Sequence, residues 1–233
     1  MFITLEGIEG SGKTTQMQQL GIYFENRGHS CVLTREPGGT ALGEKIRAIL
    51  LDPASTELVP TAELLLYMAD RAQHINSLIK PCLAEGKVVL CDRYFDATVV
   101  YQGFARGLDT GAICDLHRLI FDDLKPDITF LLDLAPQVGL ARAWRQLDNG
   151  TRSGTESRFE EETLSFHEKV RAGYLELARR QPERIRVVDG SRDEKQVQVD
   201  IRNALAEYLD KRTWGNPHFV LKVQLLRHEG TRI

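Results

Sequence analysis

No apolar run in this sequence approaches the roughly 20 residues that a helix needs to cross a bilayer, so no membrane span is expected. The N-terminus carries no basic region followed by a long apolar stretch, so no signal peptide is expected either. Positive charge is not in excess. With 30 Lys and Arg against 33 Asp and Glu the formal charge is −3, and no nucleic-acid partner is expected. The four cysteines, Cys31, Cys82, Cys91 and Cys114, show no C-x-x-C spacing, and Cys31 and Cys91 sit in apolar strand-like runs. Reduced, buried thiols fit that pattern better than metal ligands. The guanine-reading N-K-x-D motif is absent as well, which weakens a GTPase reading. The cytoplasm is the expected location.

What is present begins at residue 7. Residues 7–14 read GIEGSGKT, a complete G-x-x-x-x-G-K-[ST] phosphate-binding loop, placed between the apolar, β-prone run 2–5 and a helical pattern with Met17, Leu20 and Phe24 on one face. Gly7, Gly10 and Gly12 allow backbone angles that side chains forbid, so the N–H groups of Gly7, Ile8, Glu9, Gly10, Ser11 and Gly12 are free to turn toward phosphate oxygens. Lys13 and Thr14 then fall beside the β- and γ-phosphates and Mg²⁺. A flexible glycine turn with a chance lysine would not explain the flanking strand and helix. The chain binds a nucleoside triphosphate.

The 233-residue chain reads as one α/β domain. Short apolar, largely β-branched runs at 2–6, 30–34, 88–91, 128–133 and 185–188 predict strands. Helical patterns are expected over 14–27, 40–51, 61–85, 111–121, 136–147, 161–180 and 193–211. Such alternation predicts a five-stranded parallel sheet covered by helices on both faces, with ligands at the carboxyl ends of its strands.

That rule points to the residues just after each strand. Asp92 and Arg93 follow an apolar strand, where a carboxylate can hold Mg²⁺ and a guanidinium can clamp a second phosphate; taken alone, such a pair is more often a surface ion pair. Residues 35–40, REPGGT, make a rigid turn with Thr40 as N-cap, and Arg35 and Glu36 stand at the strand end, as site residues or as solvated charges. Tyr67 and Arg71 are four apart on one helix face, a spacing that suits base stacking and hydrogen bonding but is usually surface packing. Tyr101 and Gln102 return close enough after Asp92-Arg93-Tyr94 to support a base site, the ring filling the space of a 2′-hydroxyl and the amide pairing with a base edge.

GIEGSGKTT, TREPGGT, the Tyr67/Arg71 helix, DRY followed by YQG, and RSGTESRFEEE together resemble the bacterial thymidylate (dTMP) kinases over roughly residues 1–210. The resemblance implies a three-layer P-loop kinase fold, transfer of the γ-phosphoryl group of ATP to dTMP, a Mg²⁺ requirement and a homodimer. It implies that Glu9 receives the deoxyribose 3′-hydroxyl, that Tyr67 stacks on thymine and Arg71 bonds the base carbonyl, that Arg93 and Arg35 hold the acceptor phosphate, that Thr98 and Gln102 line the base and that Tyr101 excludes ribonucleotides. Where the family reads DRYxxSxxAYQG, this chain has Ala97 and Val100, a lost hydroxyl and added bulk that bear on dTMP against dUMP.

Residues 145–160 read as a mobile lid of a 1–212 kinase domain, and 213–233 as a C-terminal extension. Because Ser11 leaves the phosphate loop without an arginine, Arg152 or Arg158 is expected to supply lid charge, with Arg145 a weaker candidate. The tail alternates Phe219, Leu221, Val223 and Leu225, which predicts an added strand. A different small-molecule kinase, or a non-catalytic nucleotide switch, are the alternatives.

Overall fold

β1 (Phe2–Glu6) is buried at all five positions, as a strand covered on both faces must be. It pairs in parallel with β3 (Val88–Asp92) on one side and β4 (Ile128–Asp133) on the other; β2 (Cys31–Arg35) and β5 (Ile185–Asp189) complete the order β2-β3-β1-β4-β5. This computed structural model describes residues 1–149 and 154–213. The tail strand expected within 213–233 lies outside the described residues beyond Thr213, as does Arg152.

The side-chain alternation of β1 divides the core. Ile3 and Leu5 face one layer, against Met17, Leu20 and Phe24 of α1 (Lys13–Glu25) and Ile201 and Leu205 of α9 (Glu194–Thr213). Phe2 faces the other layer, with Ile46 and Leu50 of α2 (Ala41–Leu51), Leu64 and Met68 of α3 (Pro60–His74) and Val170 and Tyr174 of α8 (Leu164–Arg180). α6 (Thr110–Phe121) and α7 (Pro136–Asp148) complete the helical cover. Register brings Arg35 opposite Asp92, and Leu5 opposite Asp92 on the other edge of β3, so the strand ends carrying Glu6, Arg35, Asp92 and Asp133 open on one side of the sheet. Among the described residues no helix is long and apolar enough to cross a membrane.

Three elements differ from the sequence expectation. The helix expected over 61–85 is α3, a π turn at Ile75–Ile79 and α4 (Lys80–Ala84). Pro81 cannot donate to the preceding turn and its ring crowds the carbonyl of Ser77, which a widened turn relieves. Residues after Arg93, not expected to be helical, form α5 (Phe95–Thr98) and a π-helix, Val99–Ala105. Thr98, Val99 and Val100 have modest helix propensity, and the segment packs closely on α8, where a Cβ added to Gly173 would meet Phe104 at 3.0 Å and Val100 at 3.2 Å. The helix expected from 161 starts three residues later, where the Thr163 side chain accepts from Phe166 N–H.

Candidate active site

The phosphate loop ends on Gly12, a left-handed N-cap with no side-chain bond to α1, whose first turn carries no acidic residue. The helix therefore presents free N–H groups and the positive end of its dipole to an anion. Lys13 is turned into the loop, donating to the carbonyls of Gly7 (3.1 Å) and Ile8 (2.8 Å) and to Ser11 Oγ (3.3 Å). Burial, then the nearby Arg93 charge, pushes its ammonium down to about 8, against the opposing pull of Asp92, Glu9 and Glu6. Thr14 Oγ1 donates to Asp92 Oδ2 at 3.3 Å. A hydroxyl and a carboxylate beside a phosphate-binding turn are the hard oxygen donors that Mg²⁺ prefers, so this pair fits that ion.

Next to the loop, Arg93 joins two elements. Its Nη2 donates to Glu9 Oε1 at 2.8 Å and its Nη1 to the Tyr174 hydroxyl at 3.1 Å, while the guanidinium lies 5.0 Å from the centre of the Tyr101 ring. Tyr101 also donates to Glu9 Oε1, at 2.7 Å. Burial opposes ionisation of Glu9, yet Arg93, with His167 behind it, holds the carboxyl well below its ordinary range. Glu9 is thus an anionic acceptor, fixed by two donors.

Beneath them, Glu6 accepts from Tyr94 N–H (2.8 Å) and the Tyr174 hydroxyl (2.7 Å). Burial, and then Asp96, pushes Glu6 up from 4.5 to about 7. A carboxyl raised in the folded state binds more protons folded than unfolded, so its stabilisation is full below about pH 4.5 and is lost as pH rises through 7. Urea unfolding at about pH 5 and about pH 7.5 is expected to show a smaller drop in stability over that interval for Glu6→Gln than for wild type. Equal drops would refute the assignment to Glu6, since Asp70, also raised to about 7, remains in both proteins.

At the far end Arg71 is buried and held on two of its three nitrogens: Nε donates to Glu36 Oε2 (2.7 Å) and Nη2 to Thr98 Oγ1 (2.9 Å), while Nη1 has a 4.0 Å contact with Met68 Sδ. Glu36 also meets His74 Nδ1 at 2.9 Å, and His74 Nε2 meets Thr34 Oγ1 at 2.7 Å. This chain of contacts fixes Arg71 from behind. Tyr67, Arg71, Thr98 and Gln102 line the same cleft, of about 750 Å³, as Glu9, Gly10, Gly12, Lys13, Thr14, Arg35, Asp92, Arg93 and Tyr101. Gly7, Ile8 and Ser11 lie buried in the loop behind that wall.

Two expected residues are occupied elsewhere. Arg35 donates from Nη2 alone to both carboxylate oxygens of Glu44, each at 3.0 Å. Arg158 donates to Leu50 O (3.0 Å) and Glu63 Oε2 (2.7 Å). Sequence reasoning missed Arg47, which lines the cleft, pairs with Glu156 through two bonds of 3.0 and 2.7 Å and donates to Pro37 O at 3.0 Å. It also missed Phe159 and Glu160, which line the cleft, and left Glu36 undecided between a site and a solvated turn. The strand-end position of Glu36 was its available signal; Arg47 offered none, because a mid-helix arginine reads as solvated surface.

The thymidylate kinase family model matches residues 5–201. A curated thymidylate kinase of Desulfosudis oleivorans is 57% identical over 189 residues, covering 81% of this chain and 88% of the relative. That of Desulfovibrio desulfuricans is 47% identical over 215 residues, covering 92% and 99%. The crystal structure of thymidylate kinase from Ehrlichia chaffeensis superposes with a TM-score of 0.68 at 35% identity, covering 88% of this chain and 98% of that one.

Proposed function

The chain belongs to the thymidylate kinase family, and from that membership we propose how its cleft carries ATP-dependent phosphorylation of dTMP to dTDP. The observation that supports this reading best is the continuity of one cleft from Lys13, through Arg93 and Glu9, to Arg71 and Gln102. A triphosphate on the loop and a nucleoside monophosphate beyond it would then lie end to end.

ATP binds with its β- and γ-phosphates against the loop amides at 7–14 and Lys13, which exchanges its loop carbonyls for phosphate oxygens. Thr14 and Asp92 would hold Mg²⁺, which would supply charge neutralisation for the transferring group. Arg93 aligns the acceptor phosphate, with Arg35 joining it by leaving Glu44. Glu9 accepts the 3′-hydroxyl of deoxyribose. Tyr101, pinned to Glu9, occupies the space of a 2′-hydroxyl. Arg71 donates to the base carbonyl, Tyr67 stacks on the ring, and Thr98 and Gln102 complete the base wall. No general base is needed, because a phosphate monoester is largely ionised near neutral pH.

Lid charge falls to Arg152, since Arg158 is already committed to Glu63 and the Leu50 carbonyl. Arg152→Ala is expected to lower kcat by about 10³, the low end for arginines of this role, whereas Arg158→Ala acts mainly on KM for dTMP. Steady-state kinetics on both variants decide this, and wild-type kcat in Arg152→Ala would refute it.

A homodimer is supported by apolar side chains left exposed on neighbouring helices: Leu65 of α3, and Leu119 and Ile120 of α6, at 58%, 81% and 51% exposure. Four unpaired cysteines suit the reducing cytoplasm.

A coupled ADP-release assay with dTMP, dUMP, dGMP, CMP and no acceptor tests the function. Strong preference for dTMP is expected. Preference for another acceptor would overturn the substrate, and acceptor-independent ADP release would overturn the kinase reading.

A further inference from the structure

Glu63, in the first turn of α3, has no part in the reaction just described, yet it is enclosed to 0% exposure beneath Gln102, which lines the cleft. Its Oε1 accepts from Gln102 Nε2 at 2.7 Å and from Arg106 Nε at 3.4 Å. Its Oε2 accepts from Arg158 Nη2 at 2.7 Å and from Arg106 Nη2 at 3.4 Å. Three chain segments meet on one carboxylate: the first turn of α3, the π-helix of the base wall and the strap after residue 153.

The consequence concerns which end of the Gln102 amide faces a ligand. A primary amide is nearly symmetric in shape, and its two orientations differ only in which end donates. Shape therefore does not choose between them; partner chemistry does. A carboxylate paired with two guanidiniums accepts and has no proton to give. Turning Gln102 over would set two acceptor oxygens against each other in a buried place, which is strongly disfavoured.

We propose that Glu63 is a positioning residue for base selection: it holds the Gln102 amide with Nε2 inward, so that Oε1 faces the cleft and accepts the N3–H of thymine. This rests on the proposed function. Neutral cytosine has no hydrogen on N3, so two acceptors would meet at Gln102, and its exocyclic amine would meet the donor Arg71. Arg71 cannot adapt either, being held by Glu36 and Thr98. An acceptor and a donor, each locked from behind, read the N3–H and O4 pair that thymine and uracil share. The selection made here is against cytosine and leaves dUMP undiscriminated.

Glu63→Gln tests it, since a second amide matches either orientation of Gln102. The two guanidiniums keep partners in that variant, Arg106 with Glu162 at 2.6 Å and Arg158 with Leu50 O at 3.0 Å. The ratio of kcat/KM for dTMP to that for dCMP is expected to fall about tenfold, through a higher KM for dTMP, while the dTMP to dUMP ratio and the KM for ATP stay at wild-type values. In a Gln102→Leu background the same change should move the dTMP to dCMP ratio no further. A folded Glu63→Gln enzyme with an unchanged dTMP to dCMP ratio overturns the proposal, and so does an equal loss on both acceptors, which is what a merely structural role gives.

If Glu63→Gln does not fold, the wild type decides by NMR. The side-chain amide protons of Gln102, assigned by their loss in Gln102→Leu, should exchange slowly with solvent before dTMP is added. Fast exchange overturns the placement. Because this readout needs no turnover, it separates failure of the proposal from failure of the kinase reading.

Discussion

Arg93→Ala is expected to lower kcat/KM for dTMP by about 10³ and to cost about 3 kcal/mol of stability, the two losses coming from the two things its guanidinium does. Toward the ligand, in the proposed reading, it would supply a forked donor at the junction between the phosphate loop and the acceptor site. Toward the protein it is the 2.8 Å partner of Glu9, and its removal leaves a buried carboxylate with the Tyr101 hydroxyl at 2.7 Å and the His167 ring at 3.3 Å as its remaining neighbours. The residue sits at φ 66°, in the left-handed region that a branched or bulky side chain occupies only when its surroundings demand it. Here the demand comes from Glu9, Tyr174 and the Tyr101 ring. Lysine keeps the charge but not the fork, so Arg93→Lys should fall closer to alanine than to wild type. Kinetics at saturating ATP together with denaturant unfolding check both parts. A variant of native stability within tenfold of wild-type kcat/KM would remove Arg93 from the acceptor site.

The second large effect is expected at Gly10, through packing rather than chemistry. Gly10 has φ 67°, and a Cβ added there would stand 2.1 Å from the carbonyl oxygen of Gly139 and 2.9 Å from its carbon. Gly139 is reciprocal: a Cβ on it would meet the Glu9 carbonyl at 2.4 Å. Loop and α7 therefore touch backbone to backbone, with no side chain able to yield. Gly10→Ala combines left-handed strain with overpacking, about 3 kcal/mol together, which lowers Tm by about 10 °C in a chain of this length. The loop must shift to relieve the clash, and KM for ATP should rise at least tenfold as its amides lose alignment. Gly12 is the control. Its φ is 95° but no atom lies within 4 Å of an added Cβ, so Gly12→Ala carries strain alone and should cost less than half as much. Thermal melts of the two variants with ATP titrations settle the comparison; equal melting temperatures would show that contact with α7 does not hold the loop.

Much of this site lies in short stretches of sequence. A phosphate loop is local: glycine spacing, a strand before it and a helix after it are all contained in residues 2–24, and hydrogen bonds within such a stretch join near neighbours. The five strands were legible for the same reason, each a short apolar run between turns. Once parallel order is accepted, residues at strand ends converge whatever separates them in sequence, so Arg35 and Asp92 were within reach of inference. The segment after Arg93 was not. Its Val99-Val100 composition leans toward strand, whereas the segment is helical and packs closely on α8.

Sequence alone determined the nucleotide loop and the parallel architecture, because these depend on local backbone conformation, on short apolar runs and on period-3.6 burial; the reaction class came with the resemblance carried by the motifs taken together. Tertiary structure decided which charges are free to meet a ligand and which are already taken. Arg158 reads as a lid cation but is held by Glu63, 95 residues away; Glu36 reads as a turn carboxylate but is buried against Arg71, 35 residues away. The partner of a buried charge is chosen by whatever packing brings within about 3 Å of it, at a desolvation cost that forbids leaving it alone. No spacing along the chain records that choice.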